Sequence, residues 1–390
     1  MRGQPERGAL PPGSWFGVLG GGQLGRMFTH AAQSLGYRVC VLDPDRDSPA
    51  GGVADEHLRS GFMEDTALAT IARTCQAVTT EFENVPAAAL LHLASYCAVA
   101  PGGHAVAIAQ DRALEKRFFV NQGVPVAPHA LIGRIDDFGR APATLYPAIL
   151  KTARLGYDGK GQIVVANEAQ AREAWVSLGR VACVLEKRLH LKRELSCIVC
   201  RAADGSTATF APSENEHRRG ILAAGIVPAR VAPAVEDKAR QYATLLAGAL
   251  DYVGVLCIEF FVLDDGRLVA NEMAPRPHNS GHYTLDACYT SQFEQQARIL
   301  AGLPLGDTGA HSASVMLNLL GDLWFQDGAR REPDWRTLLA DGRAKLHLYG
   351  KLEPRPGRKM GHLTLLAPTR EQALAQALRA AQVLGLAPAG

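Results

Sequence analysis

The chain has 390 residues, room for two to three domains at about 100–200 residues each, with a sizeable apolar core. Hydrophobic residues make up 47% and charged residues 21%, which excludes disorder over most of the length. Forty-one basic against 39 acidic side chains leave a net charge of +2, too little for bulk nucleic-acid binding, so any cationic site must be local.

Residues 1–14 carry Pro, Gly and charge without an apolar run. They read as a short disordered extension, not a secretory signal. Next come strand, glycine turn, helix and strand in SWFGVLGGGQLGRMFTHAAQSLGYRVCVLDPD, then a strand in QAVTTEF and a helix in AAALLHLA. Alternating strands and helices predict a parallel α/β sheet to about residue 110. DRALEKRFFVNQG reads as an amphipathic helix stopped by Gly123 and Pro125. Candidate strands follow in YPAILKT, GQIVVAN, ACVLEKRL, RELSCIVCRA and ATFAPS, then in HSASVMLNLLG, AKLHLYG and HLTLLAP, before a C-terminal helix in REQALAQALRAAQVLGL. Strand-rich segments after an α/β start suggest α+β domains, with boundaries near 110, 195 and 310. The longest apolar-looking stretch, Ala243–Leu263, contains Asp251 and Glu259, which argues against a membrane span. Eight scattered cysteines form no framework. Cys197-x-x-Cys200 lies on a strand, where residues three apart point to opposite faces, so the thiols read as reduced and buried in a cytoplasmic protein.

Glycine is in excess, 39 of 390 residues against a usual ~7%, and marks turns or loops where backbone approaches a ligand. Gly20-x-Gly22-x-x-Gly25 opens a helix, so its N–H groups and the helix dipole suit a phosphate. Asp43 ends the next strand, where a dinucleotide fold holds a ribose. A phosphate-bearing ligand, a dinucleotide and an empty tight turn all stay open at this point.

The most informative stretch is CIEFFVLDDGRLVANEM. Asp265-Gly266 predicts a two-residue hairpin turn pairing Asp264 with Arg267. The same register sets Glu259 opposite Glu272, with Cys257, Phe261, Leu263, Leu268 and Ala270 on their face. Two carboxylates that close repel by about 3 kcal/mol at an effective dielectric of ~20, so one is protonated or a cation lies between them. Oxygen ligands that leave coordination positions open suit Mg²⁺ bridging nucleotide phosphates. The alternatives are a slipped register with solvated acids and a protonated pair for glycoside-type chemistry. Asn271 adds an oxygen nearby. Lys151 ends an apolar run and precedes the glycine loop Gly156–Gln162, which suits phosphate contact or an ordinary hairpin. The loop is not a Walker A, because Gly161 is followed by Gln162. Glu186 and Glu194 follow on strands, and each alone reads as a solvated surface charge.

The ordered set GGGQLGRM, EFENV, GYDGKGQ, ENEHRRGIL, NEMAPRPHNSGHYT, MLNLLG and RPGRKMGH resembles the N5-carboxyaminoimidazole ribonucleotide synthase family, ATP-grasp enzymes of purine biosynthesis. RPHNSGH and GRKMGH separate it from other ATP-grasp enzymes. The resemblance implies a mixed α/β and α+β fold. A disordered extension (1–14) would precede a Rossmann-like pre-ATP-grasp domain (15–110), an ATP-grasp domain (111–310, lid about 125–195) and a small β-rich C-terminal domain (311–390). It implies ATP and Mg²⁺ as cofactors, bicarbonate and aminoimidazole ribonucleotide as substrates, and a cytoplasmic homodimer with no nucleic-acid or membrane partner. Glu259 and Glu272 would be the Mg²⁺ ligands. Arg112, Lys151 and the loop Gly156, Tyr157, Asp158, Gly159, Lys160, Gly161 and Gln162 would grip the ATP phosphates. Glu186, Lys187, Arg188 and Leu189 would form the adenine hinge, with Glu194 on the ribose and His217, Asn271 and Glu272 as further nucleotide contacts. Gly22, Gln23, Leu24 and Glu81 would take the ribonucleotide, and Lys351 and Arg358 its 5′-phosphate. Tyr157, Lys160, Arg276, His278 and Asn279 would surround bicarbonate and carboxyphosphate. Lys160 stands where relatives carry Arg, and Lys lacks the bidentate fork. The rival readings are a nicotinamide-dependent oxidoreductase using the first glycine turn, a nucleotide-binding sensor without catalysis, and an ATP-grasp ligase with another amine acceptor, against which RPHNSGH, Lys351 and Arg358 argue.

Overall fold

A computed structural model of the chain describes residues 8–156, 160–326 and 328–387. The first unit is a parallel sheet of β1 (Trp15–Leu19), β2 (Arg38–Leu42), β3 (Glu56–Leu58), β4 (Ala77–Thr80) and β5 (Ala98–Val99), in the order β3-β2-β1-β4-β5. Val39, Cys40, Val41 and Leu42 are all fully buried, the continuous apolar run expected of a strand covered on both faces. The expected loose extension fails for its described part, residues 8–14. Leu10 donates its N–H to the Ala301 carbonyl (2.8 Å) and accepts from the Tyr37 hydroxyl (2.9 Å). Its side chain packs into the cluster of Phe16, Tyr37 and Leu300, so an apolar slot orders the segment.

A four-stranded antiparallel sheet follows: β6 (His129–Ile132), β7 (Ala148–Thr152), β8 (Gln162–Val165) and β9 (Cys183–Lys187), in the order β6-β9-β7-β8. Helix Glu168–Ser177 covers it, with Ala171, Ala174 and Trp175 in the shared core.

The largest sheet has nine strands. β10 (Leu191–Arg201), β11 (Thr207–Thr209), β12 (Ser213–Arg218), β13 (Ile221–Val227), β14 (Gly254–Leu263) and β15 (Leu268–Ala274) are joined by β16 (Ala313–Leu320) and, past the two-residue strands β17 (Phe325–Gln326) and β18 (Ala329–Arg330), by β19 (Ala344–Leu348) and β20 (Lys359–Ala367). The order is β15-β14-β10-β12-β13-β16-β20-β19, with β11 beside β10. The last quarter of the chain therefore extends the central sheet through β13 and β16, which pair antiparallel. The apolar stretch Ala243–Leu263 is the end of helix Pro233–Ala249, a turn and β14. Among the described residues, no helix is long and apolar enough to cross a membrane. All eight cysteines are free and buried, and Cys197 and Cys200 belong to different cores on opposite faces of β10. Burial pushes the Cys197 thiol up to about 12.

Candidate active site

Glu259 and Glu272 do lie opposite each other on β14 and β15, but not by the expected turn. Leu263 donates its N–H to the Arg267 carbonyl (2.9 Å), and Gly266, at φ +81°, closes a three-residue loop of 264–266. That register pairs Val262 with Leu268 and Phe260 with Ala270, one residue off the predicted alignment. A β-bulge at Asn271 then restores Glu259↔Glu272. Two face assignments are corrected in consequence: Leu268 and Ala270 sit in the core with Phe260 and Val262, not beside the acids.

The two acids of the pair differ sharply in their hold on a proton. Burial, then the Glu272 charge, pushes Glu259 up to about 7. Burial would raise Glu272 as well, but Arg112, Lys151 and Lys116 outweigh it and hold Glu272 down to about 2. Arg112 Nη1 lies 2.7 Å from Glu272 Oε2. Asn271 Oδ1 is buried without a hydrogen-bond partner. Glu259 also faces His278 Nε2 at 3.5 Å. The His278 Nδ1 accepts from the Ser280 N–H (3.4 Å), and burial and then Arg276 hold this imidazole well below its usual value, so it is neutral.

Beside the acids, a cavity of about 460 Å³ is walled by Ile149 and Lys151 of β7, Glu186 and Lys187 of β9, the following Arg188 and Leu189, Ala127, and Phe261 of β14. It lies between the four-stranded and nine-stranded sheets. Lys151 Nζ donates to Glu186 Oε2 (3.1 Å), and Lys116 approaches Glu186 Oε1 (3.4 Å). Glu186 is thus a buried, doubly countered acid, not the solvated charge that its strand position alone suggests. Burial would raise it, yet Lys151 and Lys116 leave it below its usual range. Glu194 meets His217 Nδ1 at 3.1 Å on the neighbouring strands β10 and β12. At the loop neck, Thr152 holds Gly161 from two sides: its N–H donates to the Gly161 carbonyl (2.8 Å), and its Oγ1 would lie 2.6 Å from a Cβ at Gly161 (φ +72°). Gly156 and Gln162 close the same neck, and Lys160 is exposed. Tyr157, Asp158 and Gly159 lie outside the described residues.

The first glycine turn cradles the protein's own carboxylates. Glu81 Oε1 accepts from the Gly22 N–H (2.9 Å), Glu81 Oε2 from Gly25 (3.2 Å), and Asp43 Oδ2 from Gly21 (2.7 Å). A Cβ on Gly22 would come within 2.7 Å of Glu81 Oε2, so any larger residue there would push the Glu81 carboxyl group aside. The N–H groups that suit a phosphate are already satisfied by carboxyl oxygens of the chain. Asp43 likewise serves the turn instead of a ribose. Leu24 is in the core, leaving its backbone for any ligand. Gln23, by contrast, accepts at Oε1 from Lys351 Nζ (3.0 Å) across 328 residues, so two of the expected ribonucleotide residues meet. Arg358 donates to the Glu353 carbonyl (2.8 Å), and its own carbonyl accepts from Gly321 (2.8 Å).

Arg276 is buried and held by Glu83, whose Oε2 accepts from Arg276 Nε (2.6 Å). Burial would lower the guanidinium, but Glu83 and Glu81 raise it, so a fixed cation sits between the acids and the first unit. Sequence reasoning misses Glu83, although it stands in EFENV two residues after Glu81. Asn279 Oδ1 takes His282 Nε2 at 3.2 Å. His282, His362 and His347 stack with centroids 4.4 and 4.5 Å apart, and Asp286 meets His347 at 2.8 Å. Asp286, His347 and His362 each offer a ligand atom, all within 4.8 Å of one another, a group that could hold a metal ion.

Three family models match in succession. They are the ribonucleotide synthetase preATP-grasp domain over residues 14–110, the ATP-grasp domain over 117–293, and the phosphoribosylaminoimidazole carboxylase C-terminal domain over 314–376. The N5-carboxyaminoimidazole ribonucleotide synthase of Brucella melitensis is 44% identical over 93% of this chain and 99% of its own. That of Bacillus subtilis is 43% identical over 93% of each. An ADP complex of an N5-carboxyaminoimidazole ribonucleotide synthetase aligns with a TM-score of 0.90 at 40% identity, covering 97% of this chain and 98% of that one. The Aspergillus clavatus synthase in complex with ADP and 5-aminoimidazole ribonucleotide aligns at 0.86 and 32%, covering 96% and 99%. With this identity over nearly its whole length, the chain belongs to the N5-carboxyaminoimidazole ribonucleotide synthase family of ATP-grasp ligases.

Proposed function

We propose that the chain carboxylates the exocyclic amine of 5-aminoimidazole ribonucleotide at the expense of ATP and bicarbonate, in purine biosynthesis. The observation that carries this is a register-matched acid pair with Arg112 on Glu272, set near a 460 Å³ cavity lined by Lys151 and by Phe261, two residues along β14 from Glu259. Bicarbonate oxygen attacks the γ-phosphorus of ATP and ADP leaves, giving carboxyphosphate. Carboxyphosphate then delivers CO₂ to the amine nitrogen, which loses a proton, while phosphate departs. Such chemistry needs positioning and charge neutralisation more than a protein nucleophile.

The cavity suits adenine, with the Glu186–Leu189 segment along its wall. Arg112 and Lys151 would grip the phosphates, with Gly156, Gly161 and Gln162 at the neck of the glycine loop beside them. Arg276, kept cationic by Glu83, and the neutral His278 would face bicarbonate and carboxyphosphate together with Asn279. Glu81, fixed by two backbone donors, keeps lone pairs for the ribonucleotide base. Gln23, Lys351 and Arg358 would take its phosphate end. Paired carboxylates and a buried, unpartnered Asn271 oxygen fit a hard divalent cation, so Glu259 and Glu272 would hold Mg²⁺ with Asn271 beside them. The ion would neutralise phosphate charge there. We also propose a cytoplasmic homodimer, with domain boundaries near 110 and 310 and a lid over about 125–195.

ADP release is the test, with each substrate omitted in turn. Release that requires ATP, bicarbonate and aminoimidazole ribonucleotide together is expected. Binding of ATP without turnover in the full mixture would instead make the chain a sensor.

A further inference from the structure

Strand β15 is the edge of the large sheet, and the bulge at Asn271 lies on it. An edge exposes backbone groups, and a bulge leaves one residue unmatched. Both are met by one helix, Arg112–Asn121. Glu115 Oε1 accepts the Met273 N–H (2.6 Å), and Lys116 Nζ donates to the Asn271 carbonyl (2.9 Å). These two backbone groups flank Glu272, whose carboxylate takes Arg112. Arg112, Glu115 and Lys116 stand at i, i+3 and i+4, so a single helix face reaches three successive residues of the strand.

The bulge decides which way Glu272 points. Continuing the register of Phe260 with Ala270 would set Asn271 opposite Glu259. Strand alternation would then turn Glu272 to the face occupied by Phe260 and Ala270, the apolar core. The extra residue moves Glu272 onto the Glu259 face. Glu115 and Lys116 are both fully buried, an expensive place for ionisable groups unless they are hydrogen-bonded. Each bonds the backbone on one side of the acid, and Lys116 also meets Glu186 Oε1 at 3.4 Å.

We propose that Glu115 and Lys116 are positioning residues for the metal–nucleotide centre: they clasp the bulge that turns Glu272 toward Glu259. This rests on the reading of Glu259 and Glu272 as metal ligands. Glu115 presents an acceptor oxygen to the Met273 N–H. Its amide analogue preserves the acceptor oxygen.

The test is Mn²⁺ binding to the full-length protein with ADP, read from the electron paramagnetic resonance signal of free Mn²⁺, alongside KM for aminoimidazole ribonucleotide. Glu115→Ala and Lys116→Met are expected to weaken Mn²⁺ at least tenfold while leaving the ribonucleotide KM within twofold. Glu115→Gln is expected to bind Mn²⁺ like the parent. Lys116→Met keeps length and apolar packing at a buried position, so it carries the test should Glu115→Ala not fold. Parent-like Mn²⁺ affinity in Glu115→Ala or Lys116→Met overturns the proposal, as does an equal loss at both sites. Glu272→Gln separates the two readings. If it binds Mn²⁺ normally, the metal assignment itself fails. If it loses Mn²⁺ while Glu115→Ala and Lys116→Met keep it, only the positioning role fails.

Discussion

Replacing Glu259 by Gln separates what the acid pair costs the fold from what it does for catalysis. Glu259 is 9% exposed and titrates at about 7 in the folded chain, against 4.5 for a free glutamate. The raised value means the folded state holds its proton longer than the unfolded chain. Below about pH 4.5 both states are protonated and nothing is lost. Between 4.5 and 7 the unfolded chain ionises first, so stability falls with rising pH, by about 3 kcal/mol in all for the rise from 4.5 to about 7. At pH 5 the loss is about 1 kcal/mol and at pH 8 it is complete. The amide introduced by Glu259→Gln does not titrate. In EDTA, the stability advantage of Glu259→Gln should therefore be about 2–3 kcal/mol larger at pH 8 than at pH 5, measured by urea unfolding. Adding Mg²⁺ and ADP should reverse the order at pH 8, because only the parent binds both tightly. A gap independent of pH between 5 and 8 would refute the linkage between Glu259 and the pair's shared charge.

Three further outcomes follow from the same geometry. Arg358→Ala should raise KM for aminoimidazole ribonucleotide about ten- to a hundredfold, the worth of a hydrogen bond to a charged group, and leave KM for ATP nearly unchanged. Equal rises in both would remove Arg358 from the phosphate site. At Gly321 a Cβ would strike the backbone of Arg355, while the glycine N–H binds the Arg358 carbonyl. Gly321→Ala should therefore displace that loop and raise the ribonucleotide KM about five- to a hundredfold, from overpacking of about 1–3 kcal/mol; unchanged kinetics would show that the loop is not in the site. Glu83→Ala strands the buried Arg276 charge and should cost about 3–5 kcal/mol of stability together with most of kcat, with Glu83→Gln milder because it keeps an acceptor. Parent-like unfolding in Glu83→Ala would show that Arg276 has another counter-charge.

In the first unit, β1, β2, β4 and the helices Gln23–Ser34 and Ala87–Leu93 were legible because each carries its own periodicity within a dozen residues, whereas the short strands β3 and β5 and the helices Asp65–Thr74 and Gly103–Ala109 were not read. The Glu259–Glu272 pairing was legible for a different reason, since two departures cancelled. The hairpin loop has three residues instead of two, which shifts the register by one, and the bulge at Asn271 shifts it back. Asp265-Gly266 could announce a turn but not its length. Nothing near Asn271 could announce the bulge, because its partners Glu115 and Lys116 lie more than 150 residues earlier. The glycine turn shows the same limit. Gly20, Gly22 and Gly25 record that something approaches the backbone closely, and a phosphate and the Glu81 carboxylate ask for the same N–H groups. Only the fold, which brings β4 beside β1, decides between them. The sheet that runs through β13 and β16 was illegible for the same cause: its two strands begin 92 residues apart and pair without any local signal. In this chain Glu259 and Glu272 announce themselves by type and spacing, whereas Arg112, Arg276, Lys351 and Arg358 are named only through the family resemblance. Those that aim them, Glu83, Glu115 and Lys116, read locally as ordinary helix and loop charges, and acquire their role from what tertiary structure sets against them.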